Sequence, residues 1–217
     1  MGFSDQLVEE ASEVWDSQMD KPFVNELAEG TLDREKFEVW VKQDYRYLMD
    51  YARTFAVAGT KARDEETMTQ LLGVAYTVLD YEMDLHREFA SKYGIDIQQL
   101  ENTEKAPTCV AYTSYLVKTA FQETLPVTAA AVYPCGQGYL DVAEYMAEKS
   151  SGNHEYTPFI EKYTSDEFRE AVQDMTDLVD RCAEQNPGEK EAMKNAFLTT
   201  AKLEDRFWEM CYQKETW

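Results

Sequence analysis

Apolar side chains recur at intervals of three and four residues along almost the whole chain, and no segment alternates long enough to indicate a β-strand. This pattern is typical of an all-α protein. In the first half of the chain, the predicted helices cover residues 7–19 with Ser4 as N-cap, a short stretch from residue 22 that ends at Gly30, residues 33–61, and residues 64–93 followed by Gly94. In the second half, they cover residues 107–121, a helix that begins at Pro126, residues 165–182 with Ser165 as N-cap, and a last helix that ends near residue 212.

The apolar faces of these helices predict which side chains enter the core. On the helix over 64–93 the inward set is Leu71, Leu72, Ala75, Val78, Leu79, Leu85 and Phe89. Polar stretches connect the helices at residues 102–104, 150–153 and 186–188. Pro134 falls inside the helix that begins at Pro126. Because proline removes one helical hydrogen bond and clashes with the preceding turn, we expect a kink or a break just before Cys135.

The length and composition favour one folded domain. The chain has 217 residues, and its 44% hydrophobic content is spread along it, which predicts a single domain over residues 1–217. No apolar stretch approaches the roughly 20 residues that a membrane-spanning helix needs. The first residues also lack a basic segment followed by an apolar run, so we expect a cytoplasmic protein that does not bind membranes.

The charge of the chain argues against one large class of partners. Forty-two acidic residues against 21 basic residues give a formal net charge of −21, and such a field repels nucleic acids and anionic membranes. The acidic residues are scattered along the predicted helices and form no tail. Two explanations stay open: a salt-rich cytoplasm in which hydrated carboxylates keep a protein soluble, and an ordinary acidic surface.

The cysteines are a second source of possible chemistry. Four are present, Cys109, Cys135, Cys182 and Cys211, with no Cys-x-x-Cys pair and too few for a disulfide framework in a chain of this length. We therefore expect reduced thiols. A single cysteine on an apolar helix face is most often inert packing, and Cys135 differs from the others only in following a helix-disrupting proline.

Two acids fall inside apolar helix faces. Asp44 shares a stripe with Tyr47 and Tyr51 on the helix over 33–61, and Glu204 is in line with Phe207 on the last helix. Either acid alone is more often a solvated surface group. Two acids flanked by aromatic residues favour a buried polar site, in which desolvation raises the pKa of a carboxyl into the range useful for acid–base catalysis.

Glu82 and His86 lie one helical turn apart, and histidine is rare in this chain. A di-metal carboxylate site needs two Glu-x-x-His motifs, but residue 83 is a methionine and a second motif is absent. A haem site would need an axial histidine on an early helix, and none precedes His86. A salt bridge or a pair that lines a pocket fits better, so we predict no metal.

Tyrosines also fall on apolar faces of several elements. Tyr112, Tyr139 and Tyr163 lie on three different elements, and each alone is ordinarily a core residue with one satisfied hydroxyl. Together with Tyr47 and Phe207 they would form a flat aromatic slot edged by hydroxyl and carboxyl groups. Such a slot suits a planar heteroaromatic ring that donates and accepts hydrogen bonds.

In chain order these residues form a set of short motifs. The motifs are Gln43-Asp44-Tyr45-x-Tyr47-Leu48, Glu82-x3-His86, Pro134-Cys135-x3-Tyr139, Tyr156-x2-Phe159-Ile160-x2-Tyr163 and Glu204-x2-Phe207-Trp208. Each motif is weak alone, but their order and spacing are specific in combination and cover essentially the full chain. The chain resembles the TenA family, also called thiaminase II or aminopyrimidine aminohydrolase.

The resemblance implies a haem-oxygenase-like helical bundle that uses no haem or other cofactor and assembles as a homotetramer. It also implies a hydrolase that salvages the pyrimidine half of degraded thiamin. The substrate would be 4-amino-5-aminomethyl-2-methylpyrimidine, which gives the hydroxymethyl pyrimidine and ammonia, or thiamin itself, which gives the pyrimidine and the thiazole.

The resemblance further implies a role for each site residue. The cysteine that matches Cys135 adds to the pyrimidine ring, while the glutamate that matches Glu204 donates and accepts the proton. Asp44 would hydrogen-bond the amino edge of the ring, and Tyr112 and Tyr163 would hold the ring and tune the cysteine. The slot would be lined by Tyr47, Tyr139, His86 and Phe207, with Glu82 behind them.

The chain departs from the family pattern at Phe159, where tryptophan is common, and at Gly136 and Gly138, where bulkier residues are frequent. These residues widen the neighbourhood of Cys135 and leave substrate preference open. Two other functions also stay open. One is a non-catalytic or regulatory protein that binds the pyrimidine or thiamin on the same fold, and the other is a metal oxidase of similar fold.

Overall fold

The computed structural model describes residues 2–217, and within that range it is helical and contains no β-strand. The all-α prediction is confirmed. The α-helices are Phe3–Glu10 (α1), Ser12–Met19 (α2), Pro22–Ala28 (α3), Arg34–Gly59 (α4), Glu65–Thr77 (α5), Met83–Lys92 (α6), Ile97–Glu101 (α7), Pro107–Gln122 (α8), Leu125–Lys149 (α9), Thr157–Tyr163 (α10), Asp166–Gln185 (α11) and Lys190–Gln213 (α12). A π-turn, Val78–Glu82, joins α5 to α6, and a 3₁₀ turn, Pro187–Glu189, precedes α12.

Helix α9 lies at the centre of the bundle. It packs along α12 and α11 and also contacts α3, α4, α8 and α10. Residues 126–134 are buried without interruption, and three consecutive alanines in this stretch let neighbouring helices come close to the backbone. Because α4 contacts both α9 and α12, the helices that carry Asp44, Cys135 and Glu204 converge.

The predicted helix starts and stops agree with the observed caps at several places. The Asp33 carboxylate accepts from the Glu35 backbone N–H at 2.9 Å, and Asp64 and Ser165 cap α5 and α11 in the same way. Gly30 follows α3 with a φ of +72°, a left-handed conformation that favours glycine. Local chemistry therefore fixes these boundaries.

The predicted first helix is in fact two helices, and its predicted cap is wrong. Ala11 ends α1 and precedes α2 with φ −92° and ψ 5°, so the helical path is interrupted there. Ser4 lies inside α1, where it is buried and its backbone N–H donates to Asp180 Oδ1 at 2.7 Å. Gly2 holds the N-cap position, and its N–H donates to the Asp5 carboxylate at 2.8 Å. The hydrogen bond from Ser4 to Asp180 on α11 holds Ser4 within the first turn, so α1 begins at Phe3, before the predicted cap.

Helix α5 buries a narrower stripe than its apolar residues predict. Leu71 and Ala75 face α4 and are buried, whereas Leu72 and Leu79 are 45% and 44% exposed and not inward as predicted. The π-turn at Val78–Glu82 contributes to the exposure of Leu79, which lies within this wider turn, whereas Leu72 precedes it. The exposed leucines face away from the bundle.

The predicted break at Pro134 does not occur, because α9 runs unbroken from Leu125 to Lys149. A proline in a helix interior costs about 3 kcal/mol or more, and neighbouring helices hold this segment on several sides. Tyr51 Oη also donates to the Val132 carbonyl at 3.1 Å, which ties the turn around the proline to α4. Cys135 therefore sits on a rigid, buried helix.

Helix α7 was not predicted from the apolar pattern. The sequence feature that marks this helix is its N-terminal capping box, in which the side chains of Asp96 and Gln99 each accept a hydrogen bond from the backbone N–H of the other at 2.8 Å. Leu100 anchors the short helix in the core. None of the helices within residues 2–217 combines the length and the apolar character that crossing a membrane requires.

Candidate active site

A small cavity lies where α4, α9, α10 and α11 meet the end of the π-turn. Its volume is about 50 Å³, which is room for a few water molecules. The side chains that line it are Asp44, Leu48, Tyr51, Glu82, Cys135, Gly136, Tyr139, Tyr163 and Phe168. A larger depression of about 320 Å³ beside Lys61 and Arg181 also contains a thiol and two carboxyl groups, those of Cys182, Asp64 and Glu189, but no aromatic ring lines it. The small cavity is the candidate site because aromatic rings surround its thiol and its carboxyl groups.

The Cys135 thiol is half-buried and faces this cavity. Burial raises the pKa of the thiol well above its usual 9.0, and the nearby Glu204 carboxylate raises it further. Tyr47 acts in the opposite direction, because its hydroxyl hydrogen-bonds the thiolate form. The same hydroxyl also acts on Tyr112, where it opposes the effect of burial and lowers the pKa. The resting form near neutral pH is therefore the thiol, and attack requires that its proton be moved.

Glu204 on α12 is the second reactive group. Its side chain is buried, and Tyr112 Oη donates to its Oε2 at 2.7 Å. Burial raises the pKa of the carboxyl from 4.5 to about 8, although the Tyr112 hydrogen bond acts to lower it. Glu204 is thus mainly protonated at neutral pH, and although it does not line the cavity, its charge acts on the Cys135 thiol that does.

Asp44 on α4 is held at the cavity wall by neighbours on both of its oxygens. Tyr139 Oη donates to Oδ1 at 3.3 Å and itself accepts from Trp40 Nε1 at 3.0 Å. His86 Nε2 lies 2.7 Å from Oδ2. These contacts fix Asp44 as an oriented hydrogen-bond acceptor.

Both ring nitrogens of His86 face acceptors. Nδ1 lies 2.8 Å from the Glu82 backbone carbonyl, and Nε2 faces the Asp44 carboxylate, so each nitrogen needs a proton. Burial acts to lower the pKa of His86, but the hydrogen bond and charge of Asp44 outweigh it and the pKa is raised. The ion-pair partner of His86 is therefore Asp44. Of the two arrangements expected for Glu82 and His86, the salt bridge does not form, because the ring contacts the backbone carbonyl of Glu82 instead.

Glu82 lies nearer to the cavity than predicted. The family resemblance placed it behind the slot, but its side chain lines the cavity. Glu82 is the last residue of the π-turn, which rotates it relative to a regular helix. Burial raises the pKa of its carboxyl to about 7, while the charges of His86 and Lys162 act to lower it and Asp44 acts to raise it.

Aromatic rings enclose the thiol and the carboxyl groups. The Tyr47 ring stacks on Tyr51 at a centroid distance of 5.4 Å and lies 4.9 Å from the Tyr112 ring. On the opposite side, the rings of Tyr139 and Tyr163 are 4.9 Å apart. The site therefore combines flat apolar walls with acid groups at the edge, as a planar heteroaromatic ligand requires.

A sequence model of the TENA/THI-4/PQQC family matches residues 8–214 of the chain. The chain belongs to this family. A relative from Halalkalibacterium halodurans named aminopyrimidine aminohydrolase is 37% identical, and the match covers 100% of this chain and 98% of the relative. The resemblance predicted from the sequence motifs is thus confirmed.

Solved structures show that the TENA/THI-4/PQQC family member has the predicted fold. A protein described as a TenA homologue from P. horikoshii OT3 superposes with a TM-score of 0.91 at 25% identity, over 98% of this chain and 99% of that one. A domain of unknown function with a heme oxygenase-like fold, from Shewanella denitrificans, gives a TM-score of 0.80 at 13% identity over 97% and 92% of the two chains. The haem-oxygenase-like bundle is therefore confirmed.

The cavity wall of this TENA/THI-4/PQQC protein differs in part from the predicted slot. Tyr47, His86 and Phe207 were expected on the wall, but they are buried and do not line it, with 5.7 Å between the rings of Tyr47 and Phe207. Glu204 and Tyr112, which were expected to act on the ring, are also buried off the wall. The wall residues that the sequence analysis missed are Leu48, Tyr51 and Phe168. Tyr51 could have been predicted from the sequence, because it lies one turn beyond Tyr47 on the same face of α4. Phe168 could not, because it lies on a helix that is distant in sequence.

No group of three or more His, Cys, Asp or Glu side chains in the described part of this family member is arranged to hold a metal ion. Asp44, Glu82 and His86 come near each other, but both His86 ring nitrogens are used by acceptors of the protein. Neither ring nitrogen of His86 therefore offers a free lone pair to a metal ion.

Proposed function

We propose that the protein is a C–N hydrolase of thiamin pyrimidine salvage that converts 4-amino-5-aminomethyl-2-methylpyrimidine to the hydroxymethyl pyrimidine and ammonia. The observation that carries the proposal is that the Cys135 thiol and the Asp44 acceptor line one aromatic cavity, while the Glu204 acid is buried close enough for its charge to act on the thiol. Relatives named aminopyrimidine aminohydrolase, 37% and 31% identical over the whole of this chain, support both the enzyme class and the thiamin-related chemistry.

The proton that leaves Cys135 needs an acceptor, and the ring needs a proton. Glu204 can serve both needs because its pKa of about 8 keeps it protonated at rest. It gives its proton to a ring nitrogen of the substrate and then receives the proton of the thiol. The net change is transfer of one proton from sulfur to the ring, so no free thiolate has to form in advance. The Tyr47 hydroxyl stabilises the sulfur as negative charge develops on it.

The reaction balances as an addition followed by an elimination. The sulfur of Cys135 bonds to the ring carbon beside the protonated nitrogen, and the electron pair of that C=N bond moves to the nitrogen. The ring amino nitrogen then pushes electrons through the ring, and ammonia leaves the exocyclic carbon with the electrons of the broken C–N bond. Water adds to this carbon, the C–S bond breaks, and the aromatic ring and the thiol are restored.

Asp44 is suited to hold the amino edge of the pyrimidine. An exocyclic amine donates hydrogen bonds, and Asp44 is an acceptor whose orientation is fixed by Tyr139 and His86. When Asp44 holds the ring at this edge, the walls formed by Tyr163 and Tyr51 restrict how far the ring can tilt within the cavity. Orientation of this kind lowers the entropic cost of attack by Cys135.

Incubation of the purified protein with the aminomethyl pyrimidine tests the function. We expect equal amounts of ammonia and hydroxymethyl pyrimidine, measured by a coupled ammonia assay and by chromatography. Tight binding of the pyrimidine without any ammonia would instead identify a non-catalytic binding protein.

Thiamin is expected to be the slower substrate. The cavity of about 50 Å³ is smaller than the pyrimidine ring, so Tyr163 and Phe168 at its border must move for either substrate, and the second ring of thiamin requires a larger movement. We predict that kcat/KM for the aminomethyl pyrimidine exceeds that for thiamin by about 10-fold or more. Side-by-side kinetics measure this ratio, and an equal or higher value for thiamin would show that the cavity does not select on size.

We further propose that the protein assembles as a homotetramer through α5. Met68, Leu72 and Tyr76 on this helix and Leu79 in the π-turn that follows form an exposed apolar stripe, with Tyr76 68% exposed. A charge on this stripe would be buried unpaired in an interface, so Tyr76→Glu is expected to produce smaller species in sedimentation or light scattering. Thr77→Glu, which adds the same charge to the adjacent exposed position, is the control. Identical masses for both variants and the parent would exclude this stripe from the interface.

We place the enzyme in the cytoplasm, because all four cysteines are free thiols and a reducing compartment keeps them so. Cell fractionation with detection of the protein tests this location. Recovery in a secreted or membrane fraction would contradict it.

A further inference from the structure

One of the carboxyl groups at the site has no partner. Asp44 and Glu204 each accept a hydrogen bond from a tyrosine. The carboxyl of Glu82 lines the same cavity as Cys135, yet no described residue donates a hydrogen bond to it. A carboxyl group held in a small cavity without a donor is an acceptor site that a ligand can fill.

The charges around Glu82 favour a cationic ligand group. Asp44 raises the pKa of Glu82, and His86 and Lys162 lower it, with burial as the dominant effect. His86 is already paired with Asp44 at 2.7 Å, and Lys162 lies 4.0 Å over the exposed Tyr81 ring. Neither cation neutralises Glu82 by direct contact. A positive group in the cavity would stabilise the ionised carboxylate, and the carboxylate would stabilise that group.

Glu82 also lies on the correct side of the site. Under the proposed mechanism Cys135 attacks the ring carbon next to the one that bears the exocyclic group, so the leaving nitrogen must lie close to Cys135. Glu82 and Cys135 line the same small cavity, and the charge of Glu82 affects the pKa of the thiol. Asp44 is already assigned to the ring amine, which leaves Glu82 as the acid beside the exocyclic nitrogen.

We propose that Glu82 binds the ammonium form of the substrate's aminomethyl group and thereby distinguishes the substrate from its hydroxymethyl product. This inference rests on the proposed function. The ammonium nitrogen departs as neutral ammonia when the C–N bond breaks and takes the bonding electrons, so the step needs no further proton. The product carries a neutral hydroxyl and loses the ionic contact, which favours its release.

Binding measurements on a Cys135→Ala background test this role without turnover. Calorimetric titration gives Kd for the aminomethyl pyrimidine and for the hydroxymethyl pyrimidine, with and without Glu82→Gln. We expect Glu82→Gln to weaken binding of the amine by about 10-fold or more and to change binding of the alcohol by less than about 2-fold. Glu88→Gln, which removes a charge from the exposed face of α6, is the matched control and should change neither Kd.

The outcomes separate the two proposals. Equal weakening of both ligands, or no change for either, would overturn the role of Glu82 while leaving the hydrolase function in place. If the Cys135→Ala protein binds neither pyrimidine, the proposed function fails and the inference fails with it. Thermal unfolding of the Glu82→Gln protein shows whether the fold is retained, and the Glu82→Asp protein, which keeps the charge, should retain the preference for the amine.

Discussion

Replacing Cys135 with alanine is expected to lower kcat for ammonia release by about 10³-fold or more, because a covalent route loses its nucleophile. Binding of the pyrimidine should persist, since Asp44 and the aromatic walls remain. Steady-state kinetics with the aminomethyl pyrimidine provide the measurement.

Cys182→Ala is the matched control for this substitution. Cys182 is also a buried free thiol on a helix, but it lies on α11 outside the cavity. We expect its removal to leave kcat within about 2-fold of the parent, as for a side chain that contributes packing alone. Comparable losses from both variants would point to a general effect on folding and would remove the special role of Cys135.

Replacing Glu204 with glutamine is expected to lower kcat by about 10² to 10⁴-fold, the range for loss of a general acid and base. The amide keeps the shape of the side chain and can still accept the hydrogen bond from Tyr112. It cannot donate a carboxylic proton to the ring or take one from the thiol. Glu209→Gln, on the same helix but outside the cavity, should leave kcat unchanged.

The pH dependence gives this prediction a second measurement. Burial raises the pKa of Glu204 to about 8, and the protonated form is the one that starts the reaction. The kcat/KM of the parent should therefore decrease as the pH rises through this pKa. The Glu204→Gln protein should lack this decrease. An alkaline decrease with the same midpoint in both proteins would assign it to another group.

Much of the fold could be predicted from the sequence because its determinants are local. Three helix starts are marked by N-cap residues whose side chains accept a hydrogen bond from a backbone N–H two or three residues ahead: Asp33, Asp64 and Ser165. The errors occur where a distant contact decides the outcome. Ser4 is drawn into α1 by Asp180, which lies 176 residues away in sequence.

The site residues that share one helix could be predicted from the sequence, whereas the contacts between residues on different helices could be predicted less well. Helical spacing places Asp44 and Tyr47 on one apolar face, and the family resemblance supplies the partners on other helices. Spacing alone does not reveal which helices meet, and so Phe168 was missed. Glu82 was placed too far from the cavity because a π-turn leaves no periodic signal, and the sequence shows a regular helix where the structure adds a wider turn.

The covalent step is tested most directly by peptide mass spectrometry in a single-turnover experiment, with the enzyme in excess over the aminomethyl pyrimidine and acid quenching along the time course. The proposed mechanism predicts a transient mass increase equal to the substrate minus ammonia on the peptide that contains Cys135. The Glu204→Gln protein should form this adduct far more slowly. Conversion of the substrate at the full rate while Cys135 stays unmodified throughout, or an adduct on a different residue, would contradict the mechanism.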